Sequence, residues 1–255
     1  MAIYHCSIKI ISRGKGKSAV AAAAYRSGEK LVNEYDGAIH DYTRKGGIVH
    51  TEILLPDNAP PAFSDRSALW NAVERIEKAK NAQLAREIEI ALPHELTREQ
   101  GISLVREYVK EQFVNAGMCA DVCLHDKNDG NPHAHILLTM RPIEQDGAWG
   151  AKQKKEYVLD KGGNKIYDPK KRQYKCKSVP ATDWNEQTKA EEWRAAWAEI
   201  CNSYLEKGNH TERIDHRSYE RQGIDLIPTV HLGVAAFQME KRGIRTERGL
   251  SLIHI

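Results

Sequence analysis

Four segments of this chain alternate apolar and polar residues with a period of two, the pattern of a β-strand that buries one face. They are residues 3–11, 86–92, 119–125 and 133–141. In the second segment, Ile88, Ile90 and Leu92 alternate with Glu87 and Glu89. Strands of this kind must cover their apolar sides. We therefore expect an antiparallel sheet with helices on one face and an open polar face on the other.

Helical patterns lie between and after these strands, at residues 18–30, 68–82, 97–116, 183–207 and 230–242. The third opens with Thr97 and Gln100 at the spacing of a capping box. Strands and helices in this order predict an α+β domain of two layers.

Two loops are interpreted as hairpin turns. Residues 126–132 contain Asn-Asp-Gly-Asn-Pro and are expected to join the last two strands. A further hairpin is expected over residues 31–55, turning near Lys45, Gly46 and Gly47.

The positive charge of the chain is concentrated in one segment. The net charge is only +3, but residues 151–177 carry ten Lys or Arg against three acids. The remaining 28 basic and 32 acidic residues sum to −4. A local excess of this size suits an arm that contacts phosphates, although a solvated charged loop has the same composition.

Several classes of protein are disfavoured. No apolar run approaches the roughly 20 residues that span a bilayer, and the opening residues do not resemble a signal peptide. The five cysteines are scattered and include no C-x-x-C pair. We therefore expect a cytoplasmic protein without membrane insertion or a disulfide framework.

Three histidines are candidates for a metal site. His133 and His135 leave the same face of one predicted strand, with Cα atoms roughly 6.5–7 Å apart. His125 lies on the neighbouring strand if the hairpin forms. Such a set suits a divalent ion acting as a Lewis acid. Two alternatives stay open: ordinary surface histidines, and a zinc site that includes Cys119 or Cys123.

Glu87 and Glu89 share the polar face of another strand. They could orient a ligand histidine, bind the ion or transfer a proton. The alternative is a solvent-exposed sheet face without a catalytic role.

Tyr25 is the candidate nucleophile. It lies on an Ala-rich helix whose small side chains leave the phenol uncovered, and a phenol can attack a phosphodiester. The alternative is an ordinary packing role. The helix follows a basic, Gly-rich lead containing Arg13, Lys15 and Lys17, which is not a Walker A motif but predicts an anion site at the helix N-terminus.

Together these motifs resemble the MobA/MobL family of plasmid mobilisation relaxases, in the HUH endonuclease superfamily. The matching features are the opening residues 1–5, Tyr25 and residues 86–97, 125–126, 131–135 and 213–218. They occur in the family's order, and the resemblance covers roughly residues 1–250. Tyr25 precedes His133, as in relaxases, whereas replication initiators of the superfamily have the reverse order.

The resemblance implies a palm-like domain with a central five-stranded antiparallel sheet. It implies that Tyr25 nicks one strand at a plasmid origin of transfer, becomes 5′-phosphotyrosyl and later rejoins the strand. His125, His133 and His135 would hold Mg²⁺ or Mn²⁺, and Glu87 and Glu89 match the acidic motif without individual roles. The expected DNA contacts are Arg13, Lys15, Lys17, Arg26, Lys152, Lys154, Lys155, Lys170, Lys171, Arg172, His216 and Arg217.

We expect a nicking domain over residues 1–225, with a basic arm at about 150–178, and a helical extension over 226–255 that is truncated. The implied partners are single-stranded or hairpin-extruded origin DNA, accessory mobilisation proteins and a type IV secretion coupling protein. Three alternatives remain: a metal-dependent phosphodiester hydrolase, a nuclease like the replication initiators, and a non-catalytic module that binds single-stranded DNA.

Overall fold

The structure is a computed structural model that describes residues 3–128, 130–225 and 232–253. Its strands are β1 (Cys6–Ser12), β2 (Lys30–Val32), β3 (Ile39–Asp41), β4 (Ile48–Leu54), β5 (Gln83–Ala91), β6 (Ala120–His125), β7 (His133–Thr139), β8 (Gln153–Tyr157), β9 (Tyr167–Asp168), β10 (Gln173–Tyr174) and β11 (Cys176–Pro180). Its helices are α1 (Ala19–Ser27), α2 (Arg66–Ile76), α3 (Arg98–Val109), α4 (Gln187–Lys207), α5 (Tyr219–Gln222), α6 (Gly233–Lys241) and α7 (Glu247–Ile253).

Five strands form the central sheet, in the order β1-β5-β7-β6-β4, and every neighbouring pair is antiparallel. The predicted α+β class and five-stranded sheet are confirmed. The four strands with a period of two are all present, and β6 and β7 form the expected hairpin. In its loop, the backbone N–H of Asn128 donates to Asp126 Oδ1 at 2.8 Å, an Asx turn of the kind that the sequence predicts.

One face of the sheet packs against α3 and α4. Ile88 and Ile136 of the sheet lie in one buried cluster with Tyr108, Trp193 and Trp197 of these helices. The ring of Tyr108 meets that of Trp197 edge-on at 5.2 Å, and its hydroxyl donates to the carbonyl of Trp193 at 2.9 Å. Burying an aromatic side chain of this size contributes roughly 1.5–3 kcal/mol, so this layer holds much of the core. α3 begins where predicted, with Thr97 and Gln100 forming the predicted capping box, and continues as a π-helical turn over Lys110–Val114. α4 begins at Gln187, later than the predicted residue 183, and ends at the predicted Lys207.

The opposite face is only half open. Leu137 of β7 packs into a second cluster with Val20 of α1 and Trp70 of α2. His135 lies two residues before Leu137 on the same side of the strand and outside this cluster. Thus α1 and α2 cover one half of the polar face, and the other half is left for the site. The open face is therefore smaller than expected.

Beneath α2, a buried carboxylate connects the two layers. Asp121 accepts hydrogen bonds from Nε and Nη2 of Arg66, each at 2.8 Å, and from Nε1 of Trp70 at 2.9 Å. Asp121 is 2% exposed, so these bonds offset the cost of its buried charge. α2 ends at Ile76, earlier than the predicted residue 82, and the carboxylate of Glu77 pairs with Arg141 instead.

The predicted hairpin over residues 31–55 is wrong. β2 pairs with β3 through a turn at Gly37, which has φ +73°, and β4 pairs with β6 at the edge of the central sheet. Residues 45–47 are the connection between β3 and β4. The segment contains two possible glycine turns, at Gly37 and at Gly46–Gly47, and the hairpin forms at Gly37.

The chain divides into two compact units between His216 and Arg217, earlier than the boundary we expected after residue 225. The second unit contains α5, α6 and α7. In it, Thr246 Oγ1 donates to Glu240 Oε1 at 2.7 Å at the start of α7. The helix predicted at residues 230–242 corresponds to α6, and residues 226–231 lie outside the described part. Among the described residues, no helix combines the length and apolarity that crossing a membrane requires.

Candidate metal and nucleophile site

The three predicted histidines lie together on the open half of the sheet. His125 and His133 are directly paired across β6 and β7, and His135 follows two residues later on the same face. Their ring centroids are 4.8–5.3 Å apart, and one ring nitrogen from each lies within 4.8 Å of the others. The strand pairing therefore produces the predicted convergence.

Neighbouring acceptors fix the orientation of two of these rings. Nδ1 of His133 lies 2.8 Å from the carbonyl oxygen of Asn131, and Nδ1 of His135 lies 3.1 Å from Oε1 of Glu87. Each Nδ1 donates to its acceptor, so Nε2 of both rings keeps its lone pair for a metal ion.

His125 is held from the other side by α1. Its Nε2 donates to the backbone carbonyl of Arg26 at 2.7 Å, which leaves Nδ1 as the ligand nitrogen. Burial lowers the pKa of His125 to about 4, although the hydrogen bond to Arg26 opposes this shift. The imidazole is therefore neutral near pH 7, the form that binds a metal.

The two glutamates of β5 differ in environment. Glu87 is 5% exposed. Burial raises its pKa, but hydrogen bonds from His135 and Arg26 outweigh burial and bring the pKa down to about 2. Glu89 is more exposed and pairs with Lys9 Nζ at 3.1 Å, which lowers its pKa despite partial burial. Glu87 thus orients His135, whereas Glu89 faces the open cleft with a neighbouring lysine.

Tyr25 lies on the last turn of α1 and is 48% exposed. Its ring meets Tyr42 edge-on at 5.2 Å, and Lys45 Nζ lies 3.9 Å from the ring centroid. The same ammonium donates to the Tyr25 carbonyl at 2.7 Å. Sequence reasoning missed Lys45, because it reaches Tyr25 from the loop between β3 and β4 and has no local motif.

The donor set fits a divalent cation. Three imidazoles with free nitrogens leave coordination positions open, and such ligands suit a first-row ion such as Mn²⁺ better than Mg²⁺, which prefers oxygen. Glu87, Glu89 and His135 form a second, overlapping group with ligand atoms within 4.8 Å of one another. The zinc alternative is not supported among the described residues, because Cys119 and Cys123 belong to neither group.

Comparison with known proteins agrees with this geometry. Residues 17–242 match the MobA/MobL family. The chain belongs to the MobA/MobL family. The resemblance inferred from the motifs is therefore confirmed.

Three relatives illustrate the range of this family. A "Probable mobilization protein MobA" of Bifidobacterium longum is 40% identical over 97% of this chain and 46% of its own length. A "Conjugal transfer protein TraA" of Agrobacterium fabrum is 43% identical over 97% of this chain and 23% of its own length. A "Mobilization protein MobL" of Acidithiobacillus ferridurans is 38% identical over 95% of this chain and 65% of its own length. The chain thus spans from about a quarter to two thirds of these relatives.

A solved structure has a similar fold. The protein described in "Molecular Basis of Vancomycin Resistance Transfer in Staphylococcus aureus" superposes with a TM-score of 0.73 and 35% identity. The alignment covers 86% of this MobA/MobL chain and all of that one.

The basic lead of this MobA/MobL chain does not form the anion site that we predicted. Glu74 Oε1 accepts from the Ala19 backbone N–H at 2.7 Å at the start of α1, and Glu74 Oε2 pairs with Arg13 at 2.7 Å. The charge of Arg13 is therefore already paired within the fold. Lys15 and Lys17 remain exposed.

Arg26 is likewise paired within the fold. Its Nε donates to Glu87 Oε1 at 2.6 Å, and only 13% of its side chain is exposed. Arg26 therefore helps to hold Glu87, the carboxylate that orients His135.

The basic segment is an exposed arm of short antiparallel strands, with β8 paired to β11 and β9 to β10. Lys170, Lys171 and Arg172 form the exposed turn between β9 and β10, where Arg172 has φ +51°. Lys154 and Lys155 are exposed on β8. Lys152 is different, because it pairs with Glu77 Oε1 at 2.8 Å and donates to the Gln83 carbonyl at 2.7 Å. It attaches the arm to the sheet.

The last predicted contacts fall on two units. His216 Nε2 lies 3.5 Å from Glu191 of α4 in the first unit. Arg217 is exposed and belongs to the second unit.

Proposed function

We propose that this chain nicks one strand of DNA at an origin of transfer, with Tyr25 as the nucleophile and a divalent ion held by His125, His133 and His135. The observation that carries the proposal is the hydrogen bond from His125 to the carbonyl of Arg26, the residue after Tyr25. It connects the nucleophile's helix to the metal face in a member of a family whose relatives are named mobilization and conjugal transfer proteins.

In the reaction, the Tyr25 oxygen forms a bond to the scissile phosphorus, and the bond from phosphorus to the 3′ oxygen breaks. The phenol loses its proton and the 3′ oxygen gains one, which leaves a 5′-phosphotyrosyl strand and a free 3′-hydroxyl. The phosphotyrosyl bond conserves the energy of the phosphodiester, so attack by a 3′-hydroxyl rejoins the strand.

The histidines would hold an ion, Mg²⁺ or Mn²⁺, whose charge offsets that on a non-bridging phosphate oxygen. Glu87 keeps His135 and Arg26 in position. Lys45 holds the last turn of α1 and its ammonium faces the Tyr25 ring, which supports a fixed orientation for the nucleophile. Glu89 lies nearer the solvent and is available for the metal or for proton transfer.

The exposed lysines and arginine of the arm would bind the phosphates of a single-stranded or hairpin-extruded origin. We propose the same phosphate-binding role for four residues outside the arm: Lys15, Lys17, His216 and Arg217. Accessory mobilisation proteins and a type IV secretion coupling protein are the proposed protein partners, in the bacterial cytoplasm.

The test is to incubate the chain with Mn²⁺ and end-labelled oligonucleotides that tile the origin of its replicon. With the label at the 3′ end of the oligonucleotide, a denaturing gel should show labelled DNA attached to protein through the 5′ phosphate created at the break. Tyr25→Phe should abolish the adduct and keep DNA binding. Free products with multiple turnover in both proteins would instead indicate a hydrolase that activates water at the same histidines, and binding without any cleavage would indicate a non-catalytic module.

A further inference from the structure

Three tyrosines form an exposed aromatic patch on the basic arm. Tyr167 and Tyr174 are directly paired across β9 and β10, and Tyr157 ends β8. The ring centroids of Tyr167 and Tyr174 are 5.5 Å apart, and those of Tyr157 and Tyr174 are 6.3 Å apart. Although they touch, the three side chains are 50%, 49% and 39% exposed, in the order Tyr167, Tyr174 and Tyr157.

The ring contacts leave much of each tyrosine side chain exposed. The contacts between the rings are edge-on, at 77° and 89°, so each pair uses the edge of one ring and a face of the other. Exposed apolar side chains that occur singly need no explanation, whereas a contiguous cluster is a candidate for a binding surface. The patch therefore has aromatic surface that is available for a ligand.

The surrounding charge indicates which ligand. Residues 151–177 carry ten basic residues against three acids, and Lys165 Nζ lies 4.0 Å from the centroid of the Tyr157 ring. Positive side chains bind phosphates, whereas aromatic faces stack on bases only where the bases are unpaired. Duplex DNA would contact the lysines through its phosphates, but its paired bases could not stack on the tyrosines.

We propose that Tyr157, Tyr167 and Tyr174 form a stacking site for unpaired DNA bases, so that the arm binds single-stranded DNA through bases as well as phosphates. This inference rests on the proposed DNA function and deepens it by assigning the strand form that the arm binds. It does not depend on nicking, because stacking precedes the chemistry and needs no metal.

The experiment measures binding by fluorescence anisotropy in EDTA, which prevents cleavage. The probes are a labelled oligo-dT of about 20 nucleotides, an abasic strand of equal length and a duplex of equal length. Tyr174→Leu keeps an apolar side chain without the aromatic face. We expect it to weaken oligo-dT binding at least about fivefold, since stacking on one base is worth roughly 1–3 kcal/mol, and to leave abasic and duplex binding within about twofold.

Two variants control this comparison. Tyr174→Phe keeps the ring and should restore most of the lost affinity. Tyr219→Leu removes an exposed tyrosine of the second unit, and we expect no change. Because the arm is rich in tryptic sites, an unchanged rate of limited trypsin cleavage shows that the Leu variant keeps the arm folded.

The outcomes separate the two proposals. Equal losses on oligo-dT and the abasic strand, or no loss on either, would overturn the stacking site while leaving the nicking proposal intact. An equal loss on duplex DNA would assign the patch to duplex binding and overturn it too. If the parent chain binds none of the three DNAs, the stacking site is overturned, while the nicking proposal still depends on its own test with origin DNA.

Discussion

The backbone carbonyl of Arg26 accepts a hydrogen bond from Nε2 of His125 at 2.7 Å. The side chain of the same arginine donates to Glu87, whose carboxylate holds His135. One residue, next to Tyr25 in the chain, therefore connects the nucleophile's helix with two of the three histidines. The site is organised by the fold before any ligand binds.

Substitution of Glu87 should weaken metal binding through His135. Outer partners of metal-binding histidines typically contribute 10–100-fold in affinity, so Glu87→Gln should raise the dissociation constant for Mn²⁺ by about that factor in calorimetric titrations. Glu89→Gln is the matched control, and a smaller effect is expected because Glu89 pairs with Lys9. Equal effects of the two variants would contradict the distinction drawn between them.

Metal removal should separate binding from cleavage. In EDTA the covalent adduct should disappear while binding of single-stranded DNA is kept, because the arm binds phosphates without the ion. Mn²⁺ should restore the adduct on the parent chain. An adduct that forms at the same rate with and without chelator would show that the histidines do not act through a metal.

The turn of the arm should govern the salt dependence of binding. Replacing Lys170, Lys171 and Arg172 by Gln removes three exposed charges, and each phosphate contact on a single strand contributes about 0.7 to the slope of log affinity against log salt. We expect the slope to flatten by about 2. Lys152→Gln should instead lower stability, because Lys152 pairs with Glu77. The opposite result would contradict this distinction: a lower stability of the triple variant in urea titrations, and a flatter salt slope of the Lys152 variant in anisotropy titrations.

Asp121 should be among the most sensitive positions for stability. Asp121→Asn leaves Arg66 with only the partly exposed Glu29 as an ion-pair partner, and breaking a buried pair costs roughly 3–5 kcal/mol. Urea unfolding should report this loss. The pair of Glu34 with Arg75 is the control, since it lies in solvent at 2.8 Å, and Glu34→Gln should cost about 0–1 kcal/mol. Similar losses for the two variants would show that burial does not decide the cost.

The sequence was most informative where contacts are local. Strand periodicity predicted four of the five strands of the sheet, and the hairpin between β6 and β7 placed His125 opposite His133. β4 was expected only as the second strand of a hairpin over residues 31–55, and its place in the central sheet was not predicted. Its sequence Ile-Val-His-Thr-Glu-Ile-Leu does not alternate, and every one of its side chains is half-buried at the sheet edge. Its register with β6 is set by tertiary packing.

Contacts between distant segments were not predictable. Glu74 fills the start of α1 from α2, and Lys45 contacts Tyr25 from a loop. Both depend on side chains that meet only after the layers assemble, so a basic, Gly-rich lead looked like an anion site. Lys152 also could not be distinguished from Lys154 and Lys155 in the sequence. Only the structure shows that Lys152 is paired with Glu77 while the other two are exposed.

The central claim is that Tyr25 becomes linked to DNA, and peptide mapping of the covalent adduct tests it most directly. Trypsin would release residues 18–26, which contain Tyr25, and residues 31–44, which contain Tyr35 and Tyr42. We predict that mass spectrometry will find the 5′-phosphate of the cleaved strand on the peptide of residues 18–26. Nucleotide on the peptide of residues 31–44, or nicked DNA with no nucleotide on any peptide, would contradict it.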